Sequence, residues 1–457
     1  MNKINLGLSK AVKYLEKIVR GLIYLYILTI PFQSIGFRFI GLNIGVPEIV
    51  FLVLAPLAVI NIIICKQNFW INKLDLFILG WLLANILTGW HTGFDSVVVA
   101  EIIKTAYLVM IYTTLKWAIS PHMALRIPKF FIFSSLLASL TGIVGFGLGY
   151  IGIDTPLSIQ RAFPYGIEVV VQAKGFTPTP NMLASIIMIG VLFHVQKLSK
   201  NLINTKRKDH LILLILLFGF MLTFSKTIVC LLIGIILVLY FNYKSILAKT
   251  WRLIAKTAIV TLFIIYILGT HFIIVEKNQD SEPLKGDYIA GPALIEIANY
   301  KIYSSQYWSY KEISIEAINQ SFPWGLGPGK FNDFAHELKK YDSHPTHVPY
   351  PDPHSTYLGT FAENGLLGLI ALSGLIFCII KYSRTIYVLN EQSLDQHIIA
   401  CLPSIFIVIG IEAIPTDVMN FKQYWILLIL LVSIFQNPKS ISSKSLNPKD
   451  GITEINA

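Results

Sequence analysis

The chain has 457 residues, of which 54% are hydrophobic and only 14% are charged, and its formal net charge at pH 7 is +11. Soluble domains carry about 25% charged residues, so this composition excludes a soluble enzyme, a disordered protein and a secreted disulfide scaffold. The basic residues stand beside apolar runs, where they set membrane orientation, and this argues against nucleic-acid binding. The sequence therefore predicts a multi-pass membrane protein.

Twelve apolar runs are long enough, or nearly long enough, to cross a bilayer. They lie at 18–34, 47–65, 74–90, 97–117, 129–149, 181–196, 211–225, 227–243, 254–275, 356–380, 397–414 and 421–436. If the seventh and eighth runs formed one helix, Lys226 would lie unpaired at the bilayer centre. A charge there is costly, so we expect a tight hairpin with Lys226 at the membrane surface. The predicted fold is a single all-α membrane domain over 1–436, with a disordered cytoplasmic tail at 437–457.

The distribution of Lys and Arg predicts the orientation of the spans. The terminal side has 24 of these residues, whereas the short loops on the opposite side have five. The positive-inside rule therefore predicts that both termini are cytoplasmic. The long polar segment 276–355, between the ninth and tenth spans, is then an extracytoplasmic loop.

Two parts of this long loop stand out before its histidines. Segment 293–322 is compatible with a helix and is rich in Tyr and Trp, which favours an interfacial helix without chemistry. The stretch Pro-Trp-Gly-Leu-Gly-Pro-Gly-Lys-Phe at 323–331 fails the phosphate-loop pattern in its spacing. Its simplest interpretation is a tight glycine turn, and the alternative is that its amides and Lys330 approach a diphosphate.

Histidines gather at the end of the loop, where a metal site is the alternative to acid–base chemistry. The cluster contains His336, His344, His347 and His354, with Asp342 and Asp352. Intervening prolines preclude a helical metal-binding motif, so we predict no metal. His354 differs from the others because it stands directly before the span 356–380, at the membrane surface. Glu363 follows two to three turns into that span, where a carboxylate is either functional or a structural hydrogen-bonding group.

Three further positions lie at or near the same side. The stretch 172–184 has turn residues before Pro180-Asn181, which predicts the start of a helix. Ser225-Lys226 forms the tip of the predicted hairpin. Glu101 and Lys104 are three residues apart within a span, so a structural ion pair is the simpler interpretation.

These motifs together resemble the O-antigen ligase and O-antigen polymerase superfamily. The resemblance rests on Gly-Leu-Gly-Pro-Gly-Lys-Phe (325–331), His-Ser-Thr-Tyr-Leu (354–358) and Glu-Asn-Gly-Leu-Leu-Gly-Leu (363–369). Upstream, 174–184 is similar to the Gly-x-Phe…Pro-Asn…Ala element, and 222–226 to the Thr-x-Ser-Arg element. The order of these motifs along the chain and their predicted membrane topology also agree with the superfamily, so the resemblance covers residues 170–380.

The chain departs from the superfamily pattern at three places. Ser355 stands where Asn is usual, and Lys226 stands where Arg is usual. The superfamily also has an Arg in the helix before the glycine turn, whereas segment 293–322 has only Lys301 and Lys311. A lysine supplies charge but not a bidentate fork, so the diphosphate contacts must differ.

The resemblance implies an inverting glycosyltransferase with a helical membrane fold of the GT-C type, acting without metal or other cofactors. The donor would be a glycan on undecaprenyl diphosphate, and the acceptor a sugar hydroxyl of lipid A-core or of a growing O-antigen. The protein would lie in the bacterial inner membrane, with its active site on the periplasmic face and membrane lipids around it.

The implied site residues have separate roles. His354 is the candidate general base, and Glu363 would orient it or bind an acceptor hydroxyl. The candidate diphosphate ligands are Lys226, Arg161 and Lys330. The candidate substrate-binding residues are Lys174, Asn181 and Tyr357.

Three alternatives remain open beside the ligase. The same fold can act as an O-antigen polymerase or as a ligase that glycosylates a pilin. A protein of another class, a flippase for polyisoprenoid glycans, would need charged residues along a central path. The polarity of this chain is concentrated in one extracytoplasmic loop, which favours an enzyme.

Overall fold

The computed structural model describes residues 2–39, 42–65, 70–161, 170–200, 205–243, 248–276, 289–338, 352–389 and 398–436. The predicted tail 437–457 lies outside these ranges, and so do three members of the histidine cluster, Asp342, His344 and His347. Arg161 ends a described strand, but its side chain is outside the described part.

The described chain is mostly helical, with short strands in its connections. The helices are α1 (Asn2–Thr29), α2 (Val46–Ile64), α3 (Lys73–Thr92), α4 (Ser96–Ala118), α5 (Pro121–Ala124), α6 (Ile127–Tyr150), α7 (Pro180–Lys200), α8 (Arg207–Met221), α9 (Thr227–Tyr243), α10 (Lys249–His271), α11 (Gln306–Ser321), α12 (Phe331–Glu337), α13 (Thr356–Leu389), α14 (Leu402–Glu412) and α15 (Lys422–Gln436). The strands are β1 (Gly36–Phe39), β2 (Leu42–Gly45), β3 (Ser158–Arg161), β4 (Val170–Ala173), β5 (Phe272–Glu276), β6 (Ile289–Ile297) and β7 (Tyr300–Ser305).

Each of the twelve predicted apolar runs overlaps one of these helices. Seven helical segments of the described chain are long and apolar enough to cross a membrane: Val46–Ile64, Lys73–Thr92, Ser96–Ala118, Pro121–Tyr150, Pro180–Ser199, Lys249–His271 and Thr356–Ile386. Three shorter apolar helices are α9, α14 and most of α15. A helical multi-pass membrane protein is thereby supported, while the total of twelve spans stays a prediction.

Exposed apolar side chains lie in stripes along the outside of the helices. On α3 such a stripe contains Leu76, Leu79, Leu83, Leu87 and Trp90, at the spacing of one helix face. Such a surface is unfavourable in water and suits contact with lipid tails. Trp90 at the end of the stripe suits the headgroup layer.

Helix α7 is enclosed by α6, α8 and α9, and its residues from 182 to 194 are buried. Helices α8 and α9 are separated by residues 222–226 and each packs on α7. The expected division of the apolar stretch 211–243 into two helices is therefore confirmed, with Lys226 in the connection.

A three-stranded antiparallel sheet, in the order β5-β7-β6, lies where α10 ends and α11 begins. Phe272 pairs with Ser304, and Glu276 pairs with Tyr300. The predicted helix over 293–322 is therefore wrong for its first half and right over 306–321. The cause is long-range pairing: β5 continues directly from α10 and offers a strand edge to β7, which overrides the weak local helix preference.

Candidate functional site

His354 stands immediately before α13 in an unusual backbone conformation. Its φ is 42°, in the left-handed region that residues other than Gly adopt rarely and at a cost of about 1–3 kcal/mol. The next residue, Ser355, accepts a hydrogen bond from the Leu358 N–H (3.3 Å) and so caps α13. The imidazole is partly exposed and lies between two tyrosine rings of α11, Tyr307 and Tyr310, each 5.0 Å away between ring centroids. The ring is therefore held in one orientation but remains accessible.

Asp352 is the carboxylate that contacts His354. Its Oδ1 accepts a hydrogen bond from the His354 backbone N–H (2.5 Å) and lies 3.3 Å from Nδ1 of the imidazole. A carboxylate at Nδ1 favours the tautomer that leaves Nε2 free to accept a proton. From the sequence, Asp352 is expected only as an alternative metal ligand. The available signal for the observed contact is the Asp-Pro-His spacing, because an Asp side chain commonly accepts a hydrogen bond from the backbone N–H two residues later.

Lys226 approaches one of these two tyrosines, Tyr307. Its Nζ is 4.9 Å from the centroid of the Tyr307 ring and 3.5 Å from the backbone oxygen of Thr270. The side chain is accessible, but the protein around it displaces much of the bulk water. That desolvation lowers the pKa of Lys226 to about 8. The fold therefore brings the α8–α9 connection and His354 to the same tyrosine ring.

Lys311 is a second cation at this place, one turn after Tyr307 on α11. Its Nζ donates a hydrogen bond to the backbone oxygen of Ile414 (2.9 Å), just after α14. Burial lowers the pKa of Lys311 to about 8. Lys301, by contrast, lies on β7 and pairs with Glu296 (3.6 Å). Of the two lysines before the glycine turn, Lys311 is the one near His354 and Lys226.

The upstream element lies beside the hairpin tip. The Oδ1 of Asn181 accepts a hydrogen bond from the Ser225 hydroxyl (2.8 Å), and the Ala173 N–H donates to the Leu222 oxygen (2.9 Å). The backbone N–H of Lys174 donates to Leu157 (3.0 Å), and its side chain is partly exposed. Asn181 thus supports the connection that carries Lys226.

Tyr357 uses its hydroxyl within the protein. It donates a hydrogen bond to the backbone oxygen of Gly410 (2.7 Å) and so joins α13 to α14. The predicted contact between Tyr357 and substrate stays a prediction.

The glycine stretch forms a turn that is clamped to α13. Gly325, Gly327 and Gly329 all have positive φ, and Gly327 N–H donates to the Glu363 backbone oxygen (3.0 Å). Gly365 breaks α13 at φ 60°, and a Cβ placed there would lie 2.3 Å from the oxygen of Pro323. Only glycine permits this approach, so the motifs at 325–331 and 363–369 are parts of one packed unit.

The Glu363 carboxylate belongs to this unit. Its Oε1 accepts a hydrogen bond from the Phe331 N–H (3.4 Å). The carboxylate that contacts the imidazole is that of Asp352, whereas Glu363 is tied to the glycine turn. That Glu363 orients His354 or binds an acceptor hydroxyl stays a prediction.

Lys330 has two carboxylate partners of its own. Its ammonium forms an ion pair with Asp95, in the connection between α3 and α4, and lies 3.3 Å from Asp333. The hydrogen bond to Asp95 raises the pKa of Lys330. Lys330 thus fastens the glycine turn to the α3–α4 connection. Nearby, Lys104 and Glu101 form the expected ion pair (3.1 Å).

No group of three His, Cys, Asp or Glu side chains is arranged to hold a metal in the part of the chain that the structure describes. His336 lies exposed on α12. The members of the cluster outside the described residues leave the alternative of a metal site untested.

Comparison with known proteins gives a match to one family model. Residues 211–373 match the O-antigen ligase family model. The match confirms the resemblance to the O-antigen ligase and polymerase superfamily. No curated protein sequence matches the chain. The O-antigen ligase region includes Lys226, Lys311, His354 and the glycine turn with Glu363, whereas Asn181 lies before it.

Proposed function

We propose that the protein is an inverting, metal-independent glycosyltransferase of the O-antigen ligase type. It transfers a glycan from undecaprenyl diphosphate to a sugar hydroxyl of lipid A-core, on the periplasmic face of the inner membrane. The observation that carries this proposal is the placement of His354 and Lys226 at 5.0 Å and 4.9 Å from the same Tyr307 ring. A candidate base and a cation are thereby brought together at one site, each close to the same aromatic ring.

Inversion at the anomeric carbon requires the base and the phosphate-binding groups to act from opposite directions. The acceptor oxygen attacks the anomeric carbon from the face opposite the diphosphate, so the base and the groups that bind phosphate must lie on different sides of the sugar. His354 Nε2 takes the hydroxyl proton as the new C–O bond forms, and Asp352 stabilises the imidazolium that results. The old C–O bond breaks, and the bonding pair leaves with undecaprenyl diphosphate.

Lys226 and Lys311 stabilise the charge of the diphosphate leaving group. In the described part of the chain no carboxylate forms a salt bridge with either lysine, so both can pair with phosphate oxygens. Such cations act most strongly where protein excludes water. Lys330 is already paired with Asp95, so we assign it a structural role. Tyr307, which is partly exposed, offers a face on which a sugar ring can stack.

The test replaces His354 in the purified full-length protein and measures transfer from a lipid-linked donor. His354→Ala should lose about 10²–10⁴ in rate, the usual loss for a general base. His336→Ala is the control, because that imidazole is exposed on α12. His354→Arg keeps positive charge but has no base at neutral pH. Substantial activity in His354→Arg would replace the base role with simple phosphate binding and contradict the proposal.

The polymerase alternative uses the same site, and the acceptor separates the two functions. Transfer to added lipid A-core indicates a ligase, whereas lengthening of the lipid-linked glycan alone indicates a polymerase. Glycosylation of a pilin peptide would indicate the protein-glycan ligase. Movement of the lipid-linked glycan across a vesicle membrane without any transfer would favour the flippase.

A further inference from the structure

An apolar groove of about 470 Å³ runs between α13 and α14. Its walls include Leu372, Leu375, Ile376 and Ile379 from α13, and Phe406 and Ile409 from α14. The rest of the lining is mostly apolar, and its residues with polar groups are Thr356, Tyr357, Ser383 and Arg384. A groove of this composition cannot bind a sugar or a phosphate, because it offers those groups almost no hydrogen bonds. Its chemistry suits a hydrocarbon chain.

The outer end of the groove adjoins the candidate active site. Thr356, two residues after His354, lines the groove there together with Ala413. The next residue along the chain is Ile414, whose backbone oxygen accepts the hydrogen bond from Lys311. A molecule that enters the groove at this end therefore begins beside a cation and the candidate base.

The groove then leads along α13 toward the opposite end of the protein. Its lining extends from Leu372 to Arg384 on α13 and from Ala413 back to Pro403 on α14. Twelve residues of helix correspond to about 18 Å, roughly the depth of one leaflet. The groove is thus long and thin, as a single extended chain requires.

We propose that this groove holds the first isoprene units of the donor's polyisoprenyl chain. The inference rests on the proposed function and adds the recognition of the lipid to that of the diphosphate. A phosphate beside Lys311 and a hydrocarbon chain below Thr356 would form one continuous molecule. Packing of the chain against the groove walls holds the donor in place and fixes the depth of the reacting carbon.

The test fills the groove and varies the chain of the donor. Ile376→Trp places a large side chain in the groove. Ile370→Trp is the matched control, since Ile370 is exposed on the same helix and lies outside the lining. Each variant is assayed with one glycan on two carriers, undecaprenyl diphosphate and the much shorter geranyl diphosphate.

Ile376→Trp should raise the KM for the undecaprenyl donor by about tenfold, because the indole overpacks the space that the chain must occupy. Its KM for the geranyl donor should change much less, because that chain reaches only the outer end of the groove. Ile370→Trp should resemble the wild type with both donors. Equal changes for the two donors, or no change for either, would overturn the proposal.

A second measurement does not depend on turnover or on the folding of a variant. The wild-type protein is irradiated with a benzophenone-bearing polyisoprenyl diphosphate, and the labelled peptides are identified. Labelling within 372–384 or 403–413 supports the groove, whereas labelling confined to other helices rejects it. If the wild type uses neither donor but the groove is labelled, the proposed function fails and the lipid site stands.

Discussion

Raising the pH above 8 should discharge both lysines that face the donor diphosphate. Desolvation lowers the pKa of Lys226 and that of Lys311 to about 8 each, well below the usual value for lysine. In the free protein these ammonium groups therefore lose their protons at pH values at which an ordinary lysine stays protonated. We expect kcat/KM for the lipid-linked donor to fall there, because this ratio reports the ionisation of the free enzyme.

The magnitude follows from the two pKa values. With a pKa of about 8, about nine-tenths of each side chain is charged at pH 7 and about one-tenth at pH 9. If transfer needs both charges, kcat/KM falls about a hundredfold between these pH values; if it needs one, it falls about tenfold. The steepness of the fall in kcat/KM with pH thus shows whether one or both lysines act on the diphosphate.

Arginine replacements identify the groups responsible. Lys226→Arg with Lys311→Arg should remove the decline, since the guanidinium stays charged throughout. Lys330→Arg should leave the decline unchanged, because Asp95 already holds the pKa of Lys330 above its usual value. Activity is measured at each pH and again after return to pH 7, which separates ionisation from unfolding. An identical decline in the double variant, or a flat profile to pH 10 in the wild type, would refute the assignment.

Three further predictions concern orientation, stability and metal. In intact cells an impermeant thiol reagent should label Asp333→Cys but not Lys206→Cys; the reverse pattern would invert the predicted topology. Gly365→Ala should destabilise the protein by about 2 kcal/mol or more, seen as a lower Tm, because the new Cβ would lie 2.3 Å from the Pro323 oxygen at a φ that disfavours side chains. Gly147→Ala, with nothing within 4 Å of the new atom, should change the Tm little. Transfer in detergent should survive EDTA, and a loss that a divalent ion restores would revive the metal alternative.

Local pattern was sufficient to predict the helices. Apolar runs became helices because a chain in a membrane must satisfy its backbone hydrogen bonds within each segment, and this requirement depends only on neighbouring residues. The division at Lys226 was also predictable from the local sequence, because one continuous helix would place an unpaired charge at the bilayer centre. Local pattern failed over 293–305, where pairing of β7 with β5 decided between strand and helix.

The residue types of the site were also visible in the sequence, but their partners were not. His354 and Lys226 are separated by more than a hundred residues, and only the packing of α11 brings Tyr307 close to both. The same packing selects Lys311 over Lys301 near the site, and it gives the contact with the imidazole to Asp352 rather than Glu363. Helical periodicity and charge counts are properties of short stretches, so the sequence by itself determined the membrane class and the candidate chemistry. Contacts between distant side chains depend on how the helices pack together, so only the tertiary structure decided which groups face the substrate.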